Sequence, residues 1–250
     1  MKILFSPSEE KKKYFENHQT DENLLREFLI PFEARKEFVS SYLDILQKGS
    51  DEEICNLFGV KSLQKYLDDL ALCNQLLTAP RIEAIKLYNG VAYKALDFDS
   101  LKLSQQDYIL QNVFIFSNLF GVVRALERLP FYKFNQAYHN SDLGIKKLYQ
   151  MMKIALDAFF DSSEEILDLR AEVYIKAYKI KKPHYVVDFL RQNKKVSHYA
   201  KYYRGIFLRK LSEYEISSFD TIRGLSFDTL ELKDIVEDEM ITRLIYEIKD

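Results

Sequence analysis

Two short apolar runs that lie far apart in the chain constrain its fold more than any other feature. The first covers residues 2–5 and is followed by Pro7, which has no N–H group to donate to a sheet. The second covers residues 112–116 and is apolar from Val113 to Phe116. Because β-branched and aromatic side chains pack well on a pleated surface, both runs predict short buried strands.

Helical patterns fill much of the remaining sequence. Residues 21–47 carry apolar side chains at spacings of three and four, interrupted at Pro31, and Ser50 with Glu53 forms a capping box ahead of the next helix. Further helices are predicted at residues 63–76, 142–160 and 200–214, a turn at 191–194, and further strands at 131–134, 165–169, 184–190, 195–199, 227–232 and 240–248. Helices and strands mixed at uneven spacing predict an α+β, or mixed α/β, fold. We expect one compact domain over residues 1–250, with a helical N-terminal region.

The composition predicts a globular protein of the cytoplasm. Apolar residues make up 47% of the chain, and only 7 glycines and 5 prolines are present, so long flexible linkers are not expected. Cys55 and Cys73 fall in helical segments, and no Cys or His spacing matches a metal site, so neither a metal nor another cofactor is predicted. The first residues lack the pattern of a signal peptide, and no apolar stretch approaches the roughly 20 residues that cross a bilayer.

The charge of the chain is strongly segregated although its net value is only −2. Residues 176–210 contain eleven Lys and Arg side chains and one acid, Asp188, interleaved with five tyrosines and two phenylalanines. The other 215 residues hold 25 basic and 37 acidic side chains, since the whole chain has 36 and 38. Such segregation is typical of a protein that presents a cationic face to a polyanion.

Residues 50–77 have the pattern of a helix-hairpin-helix-like element. Two helical runs are joined there by an apolar-Gly-apolar turn around Gly59, with Lys61 following. In that arrangement the glycine permits close backbone approach. Lys61 and the free N–H groups at the start of the second helix then contact a phosphate. An ordinary helical hairpin in which Gly59 only ends the first helix fits the same pattern.

The second candidate site is the segment that runs from Ser197 to Gly205. If residues from 200 onward are helical, Lys201 and Arg204 lie on one face, beside a strand that delivers Tyr199 to a cleft. Cations next to an exposed aromatic ring suit a phosphodiester backbone or an unstacked base. Histidine side chains suit acid–base work near neutrality, but no nucleophile or orienting carboxylate is apparent in the sequence beside His198.

The order of several motifs resembles that of the YaaA family of bacterial peroxide-stress proteins. The motifs are KILFSP at residues 2–7, YNGVAY at 88–93, ALD at 95–97, SNLFGVVR at 117–124, PFY at 130–132 and SHYAKYYRG at 197–205, with Arg209 after them. The resemblance covers nearly the whole chain. It implies a compact α+β domain with a cationic cleft and a helix-hairpin-helix-like element. It also implies binding of duplex DNA and a role in limiting damage from hydrogen peroxide, linked to a lower level of free iron.

Several polar positions depart from the family pattern. Glu9 stands where the family has a lysine, Val91 where it has an aspartate, and Lys133 where it has an arginine. The family's Asn-Leu-Ala-Ser element corresponds only loosely to residues 168–171. These changes spare the cationic module and remove polar groups of the cleft, so the sequence favours binding over catalysis.

The preferred interpretation is a monomeric protein that binds duplex DNA with little sequence preference. The candidate DNA-binding residues are Gly59, Lys61, Arg124, Lys133, Ser197, Tyr199, Lys201, Arg204 and Arg209. One alternative is an enzyme that acts on a nucleic-acid or nucleotide substrate, with His198 or Tyr199 as acid or base. Another is an interaction module that docks the basic stretch on an acidic protein partner.

Overall fold

Apolar strands from both ends of the chain meet in one mixed sheet. The computed structural model describes residues 1–14, 28, 32–162 and 165–249. The strands within these residues are β1 (Lys2–Phe5), β2 (Arg81–Glu83), β3 (Val113–Ser117), β4 (Gly121–Arg124), β5 (Arg128–Pro130), β6 (Ile166–Asp168), β7 (His184–Arg191), β8 (Lys194–Lys195), β9 (Leu230–Glu237) and β10 (Ile241–Ile248). The mixed α/β fold expected from the sequence is confirmed.

Helices cover the sheet and form most of the N-terminal region. They are α1 (Phe32–Lys48), α2 (Asp51–Phe58), α3 (Leu67–Asn74), α4 (Ala84–Leu87), α5 (Val91–Leu96), α6 (Leu103–Asn112), α7 (Ile145–Met151), α8 (Lys153–Asp161), α9 (Glu172–Ala177), α10 (Ser197–Glu213) and α11 (Phe219–Ile222), with a 3₁₀ turn at Phe98–Ser100. The predicted helix over residues 21–47 is confirmed from residue 32 onward, and most of its earlier part lies outside the described residues.

The central sheet has the strand order β4-β3-β1-β6-β7-β10-β9, and β8 pairs with β7. Neighbours from β3 to β10 are parallel, whereas β4 and β9 run antiparallel to the strands beside them. Parallel strands are covered on both faces and therefore read as continuous apolar runs. This explains why β1 and β3 were recognisable in the sequence: every residue of β3 is buried, as are the last three of β1.

The β7–β8 hairpin corrects one sequence prediction. Gln192 and Asn193 both have positive φ angles, 51° and 62°, as a two-residue turn between twisted strands requires. The turn at 191–194 is confirmed, but the strand predicted at 195–199 is wrong. Only two residue pairs of β8 join the sheet, and α10 begins at Ser197.

Four further boundaries differ from the sequence prediction, and one of them is the strand predicted at 227–232, which is observed as β9 at Leu230–Glu237. The predicted helix at 142–160 is two helices that meet at Met152, and the predicted strand at 131–134 lies just after the true strand, β5. Helix α2 begins as predicted, since the Ser50 hydroxyl accepts a hydrogen bond from the Glu53 N–H at 3.3 Å. Helix α3 begins at Leu67, four residues after the predicted start at residue 63.

The chain changes direction across the sheet at β1. After β1 it crosses to β3 on one side, and later it returns to β6 on the other side of β1. In open parallel sheets, ligands bind outside the carboxyl ends of the strands at such a switch point. The loops that follow β1 and β6, residues 6–10 and 169–171, therefore lie where this fold forms a crevice.

Candidate functional site

A cavity of about 240 Å³ lies beyond the carboxyl ends of β1 and β6. The loop after β1 forms one wall, the loop after β6 a second, and residues 90–93 at the start of α5 a third. Lys201 and Arg204 of α10 also line it. The cavity thus occupies the switch point of the sheet and is built from segments that are distant in sequence.

A buried ion pair holds the loop after β6. The Asp168 carboxylate accepts hydrogen bonds from Nε and Nη2 of Arg170 at 2.8 and 2.6 Å, and both side chains are fully buried. Arg170 Nη1 donates to the carbonyl of Tyr178 at 3.0 Å, and the guanidinium lies 4.1 Å from the centre of the Phe116 ring. These contacts satisfy the buried charge and fix the backbone that forms the second wall.

Hydroxyl groups join the walls to one another. The Ala171 N–H donates to Ser6 Oγ at 2.7 Å, and the Tyr93 hydroxyl donates to the Ser6 carbonyl at 2.9 Å. The Tyr174 hydroxyl donates to Asn118 Oδ1 at 2.7 Å. Burial raises the pKa of Tyr93 and of Tyr174. Both phenols therefore stay protonated near neutral pH and keep their hydroxyl groups as hydrogen-bond donors in the walls of the cavity.

Helix α10 reaches the cavity because a glycine allows it to approach α5 closely. A Cβ atom on Gly205 would lie 2.0 Å from the carbonyl oxygen of Ala92 and 2.9 Å from the Cβ of Ala95. No side chain fits there, so the two helices touch through their backbones. This contact sets the position of Lys201 and Arg204, which precede Gly205 on α10.

Lys201 and Arg204 bring positive charge to the cavity. Lys201 is exposed and Arg204 is partly buried, and neither forms an ion pair with a carboxylate among the described residues. The Nε atom of Arg204 is buried without a hydrogen-bond partner in the described part of the chain. Burial lowers the pKa of Arg204, and the charges of Asp168 and Asp188 oppose that shift. A guanidinium keeps its charge in proteins, so Arg204 is a charged residue of the cavity lining with one donor that no described group accepts.

Two predicted cations lie outside the cavity and are neutralised. Arg209 donates to Glu213 at 3.0 Å, to the carbonyl of Leu96 at 2.9 Å and to the Ser100 hydroxyl at 2.9 Å. Arg124 donates to Glu127 at 3.0 Å. Neither residue lines this cavity, and a DNA contact by either one stays a prediction.

The predicted residues of the N-terminal region also lie outside the cavity lining. Gly59 ends α2 with φ of 70°, and its N–H donates to the carbonyl of Asn56, while the Val60 N–H donates to that of Cys55. Lys61 is exposed in the connection that precedes α3. Lys133 lies with its ammonium 4.7 Å from the centre of the Tyr66 ring. These two N–H groups serve the cap of α2, so Gly59 ends that helix as the alternative interpretation expects. The phosphate contact expected from Lys61 and the N–H groups at the start of the second helix stays a prediction.

The first turn of α10 holds the remaining candidates. Ser197 and His198 belong to that turn, and their side chains lie outside the described part of the structure. Tyr199 is 49% exposed, and the Arg191 guanidinium lies 5.1 Å from the centre of its ring. Tyr199 is therefore a surface residue on α10, not the end of a strand.

The basic stretch at 176–210 does not form one continuous cationic surface. Several of its cations pair with carboxylates that lie outside the stretch. These pairs are Lys176 with Glu172, Lys181 with Asp157, and Arg209 and Lys210 with Glu213. The positive charge that reaches the cavity therefore comes from Lys201 and Arg204.

A buried lysine near the cavity went unrecognised in the sequence. Lys11 is only 9% exposed, its ammonium lies 4.1 Å from the centre of the Tyr132 ring, and it donates to the carbonyl of Glu9 at 3.3 Å. Burial lowers the pKa of Lys11 to about 7. Its position in the run Lys11–Lys13 is typical of a solvated surface, so no signal in the sequence distinguishes it.

We expect Lys11 to make the free energy of unfolding rise with pH near neutrality. The folded state releases this proton near pH 7, whereas the ordinary pKa of a lysine is 10.5, so the unfolded chain binds more protons between these values. Urea unfolding from about pH 7 to about pH 8.5 should show the rise, and Lys11→Met should remove it. Burial raises the pKa of Cys73 to about 11 and opposes the trend at higher pH.

Lys12→Met is the control for this measurement. The neighbouring Lys12 is exposed and lies 3.7 Å from Asp99, so its removal should leave the pH dependence as in the wild type. An unchanged pH dependence in Lys11→Met would show that the ammonium is solvated in the folded state.

Two features of the described residues bear on other classes of function. None of the helices there combines the length and apolar character needed to cross a bilayer. Within the same residues, no three His, Cys, Asp or Glu side chains converge as metal ligands would.

Known proteins align with this chain over most or all of its length. The family model described as peroxide stress protein YaaA matches residues 1–235. An uncharacterized protein of Campylobacter jejuni is 38% identical over 255 aligned positions, which cover all of both chains. A UPF0246 protein of Fusobacterium nucleatum is 26% identical over 249 positions, 96% of each chain. A UPF0246 protein of Streptococcus pneumoniae is 28% identical over 204 positions, 79% of this chain and 83% of the relative.

Proposed function

Since this chain belongs to the peroxide stress protein YaaA family, we propose that it acts in the cytoplasm during peroxide stress by binding the phosphate backbone of duplex DNA. The binding site in this proposal is the mouth of the switch-point cavity, with Lys201 and Arg204 as the phosphate contacts. The observation that carries the proposal is the buried, unpartnered Nε of Arg204 beside an exposed lysine.

The electrostatics of these two side chains favour an anionic ligand. No described carboxylate pairs with either one, although four other cations of the same stretch pair with carboxylates. A guanidinium with free donors matches the oxygens of a phosphate, and an adjacent ammonium adds charge without demanding one geometry. Contacts of this kind hold a nucleic-acid backbone and are independent of its sequence.

The structure narrows the set of residues in the proposal. Arg209 and Arg124 are left out because their guanidinium groups already bind carboxylates. Tyr199 stays in the proposal as an exposed aromatic ring on the same helix, and Lys61 as an accessory contact. The helix-hairpin-helix-like role of residues 50–77 remains a prediction.

Binding of a fluorescently labelled duplex at several salt concentrations tests the proposal. Each phosphate contact contributes about 0.9 to the slope of log affinity against log salt, so Lys201→Ala combined with Arg204→Ala should reduce the slope by about 1.8. The loss of affinity should be similar for duplexes of unrelated sequence, because phosphate contacts do not read bases.

A double variant on the same stretch serves as the control. Lys176→Ala combined with Lys210→Ala removes the same charge from positions where carboxylates already neutralise it. If both double variants weaken binding equally, net charge and not the cavity governs the interaction. Wild-type affinity that is insensitive to salt would exclude the proposal.

A further inference from the structure

The switch-point cavity is too small to hold the duplex DNA of the proposed function. A cavity of about 240 Å³ has room for one nucleobase, whereas a duplex is far too wide to enter it. Phosphates of a paired duplex can therefore touch only the mouth, and the interior stays empty in that complex. The side chains that line the interior indicate which kind of ligand fits there.

The interior combines apolar and aromatic walls with a few polar groups. Phe5, Tyr93 and Tyr174 line it, and Leu169 adds an aliphatic side chain. Sites for small planar ligands have this character, because the apolar walls bind the faces of the ligand and the polar groups fix its orientation. Bases that leave a stack are held in this way by aromatic side chains.

The lining of the cavity carries charges of both signs. Glu9 and Glu10 come from the loop after β1, and Lys201 and Arg204 come from α10. Glu9 lies beside the Tyr174 wall, since Gln136 contacts both residues, whereas Glu10 pairs with Lys94 at 2.9 Å. A phosphate is attracted to the mouth and repelled by Glu9, and an amino group is attracted to Glu9.

Gln136 stands beside this acidic group. The backbone N–H of Gln136 donates to Glu9 Oε1 at 3.4 Å. The Tyr174 hydroxyl lies 3.5 Å from the side-chain oxygen of Gln136, which is a long contact. The side-chain NH₂ of Gln136 donates to no described group, and the residue is exposed. An amide offers one donor pair and one acceptor, which is the complement of a base edge.

Resting on the proposed function, we propose that the cavity binds a single unpaired nucleotide that leaves the DNA stack. Its phosphate contacts Lys201 and Arg204, its base enters between the aromatic walls, and its edge meets Gln136 and Glu9. A carboxylate accepts from an amino group, so bases that carry an exocyclic amine fit better than thymine. The protein then distinguishes DNA with an unpaired base from intact duplex.

Two matched duplexes test this inference, one fully paired and one with a single unpaired 2-aminopurine. Stacking on protein aromatic rings favours the second duplex, and we expect it to bind roughly tenfold more tightly. Entry of the base into the cavity should also change the 2-aminopurine fluorescence on saturation. Gln136→Ala should reduce the preference and leave the affinity for paired duplex unchanged. Gln111→Ala removes an exposed glutamine on α6 and is the control.

The outcomes separate this inference from the proposed function. If both duplexes bind equally, in a salt-dependent manner and with unchanged 2-aminopurine fluorescence, the nucleotide pocket is excluded and backbone binding stands. If neither duplex binds, the proposed function fails, and titration with dCMP decides the pocket alone. Binding of dCMP that Arg204→Ala abolishes supports the pocket, and no detectable binding excludes it.

Discussion

Replacing Asp168 by alanine is expected to lower the free energy of unfolding by about 3–5 kcal/mol, because it leaves the buried Arg170 guanidinium without its carboxylate. The two side chains are fully buried, and the carboxylate accepts both donors at 2.8 Å or less. Urea unfolding monitored by circular dichroism measures the loss. The loop at 169–171 should loosen as well, so DNA affinity should fall with stability.

Two variants show whether the loss comes from the unpaired charge. Asp168→Ala combined with Arg170→Met removes both partners and should recover part of the stability, since an apolar side chain tolerates burial. Lys48→Ala breaks an exposed pair with Asp44 and should cost at most about 1 kcal/mol. A double variant no more stable than Asp168→Ala would mean that the carboxylate supports the loop directly.

Replacing Gly205 by alanine is expected to destabilise the protein by about 1–3 kcal/mol, since the added methyl overpacks the contact between α10 and α5. The sign is informative, because alanine in the middle of a helix is otherwise more stable than glycine by about 0.5–1 kcal/mol. The new Cβ would lie 2.0 Å from the carbonyl oxygen of Ala92, and backbone cannot rotate away as a side chain does.

The same substitution should weaken DNA binding, because the helix that carries Lys201 and Arg204 must move away from the cavity. Gly224→Ala is the control, since the nearest atom to its Cβ would be the Thr221 carbonyl oxygen at 3.6 Å, an ordinary contact. Thermal unfolding and duplex affinity measured on both variants test the prediction. Equal stability of the two would show that α10 and α5 adjust without strain.

Local pattern was sufficient for much of the fold. β1, β3 and β6 lie within two residues of their predicted positions, because buried parallel strands read as apolar runs. β7 and β10 were predicted as closely, although their side chains alternate between buried and partly exposed positions. The N-cap at Ser50 was also predictable from the sequence, because it depends on two residues only three positions apart. The strand predicted at 195–199 failed because Lys194–Lys195 make the only hairpin pairs, after which helical side-chain packing takes over.

The candidate site was predictable only in part. Lys201 and Arg204 were identified from their spacing on one helix, and the structure brings both to the cavity. Arg209 follows Arg204 closely in sequence but projects to Glu213 and the end of α5. Charge counting cannot separate these cases, because the partner of each cation comes from another part of the chain.

The amino-acid sequence by itself determined the element types, the family resemblance and the excess of positive charge near residue 200. All of these are local properties, set by side chains a few positions apart. Only the tertiary structure decided that the loops after β1 and β6 form one cavity, that Lys11 is buried, and that no carboxylate in the described part of the chain pairs with Lys201 or Arg204. The physical reason is that the order of strands in the sheet joins distant segments, and burial and Coulomb interactions depend on distances through space.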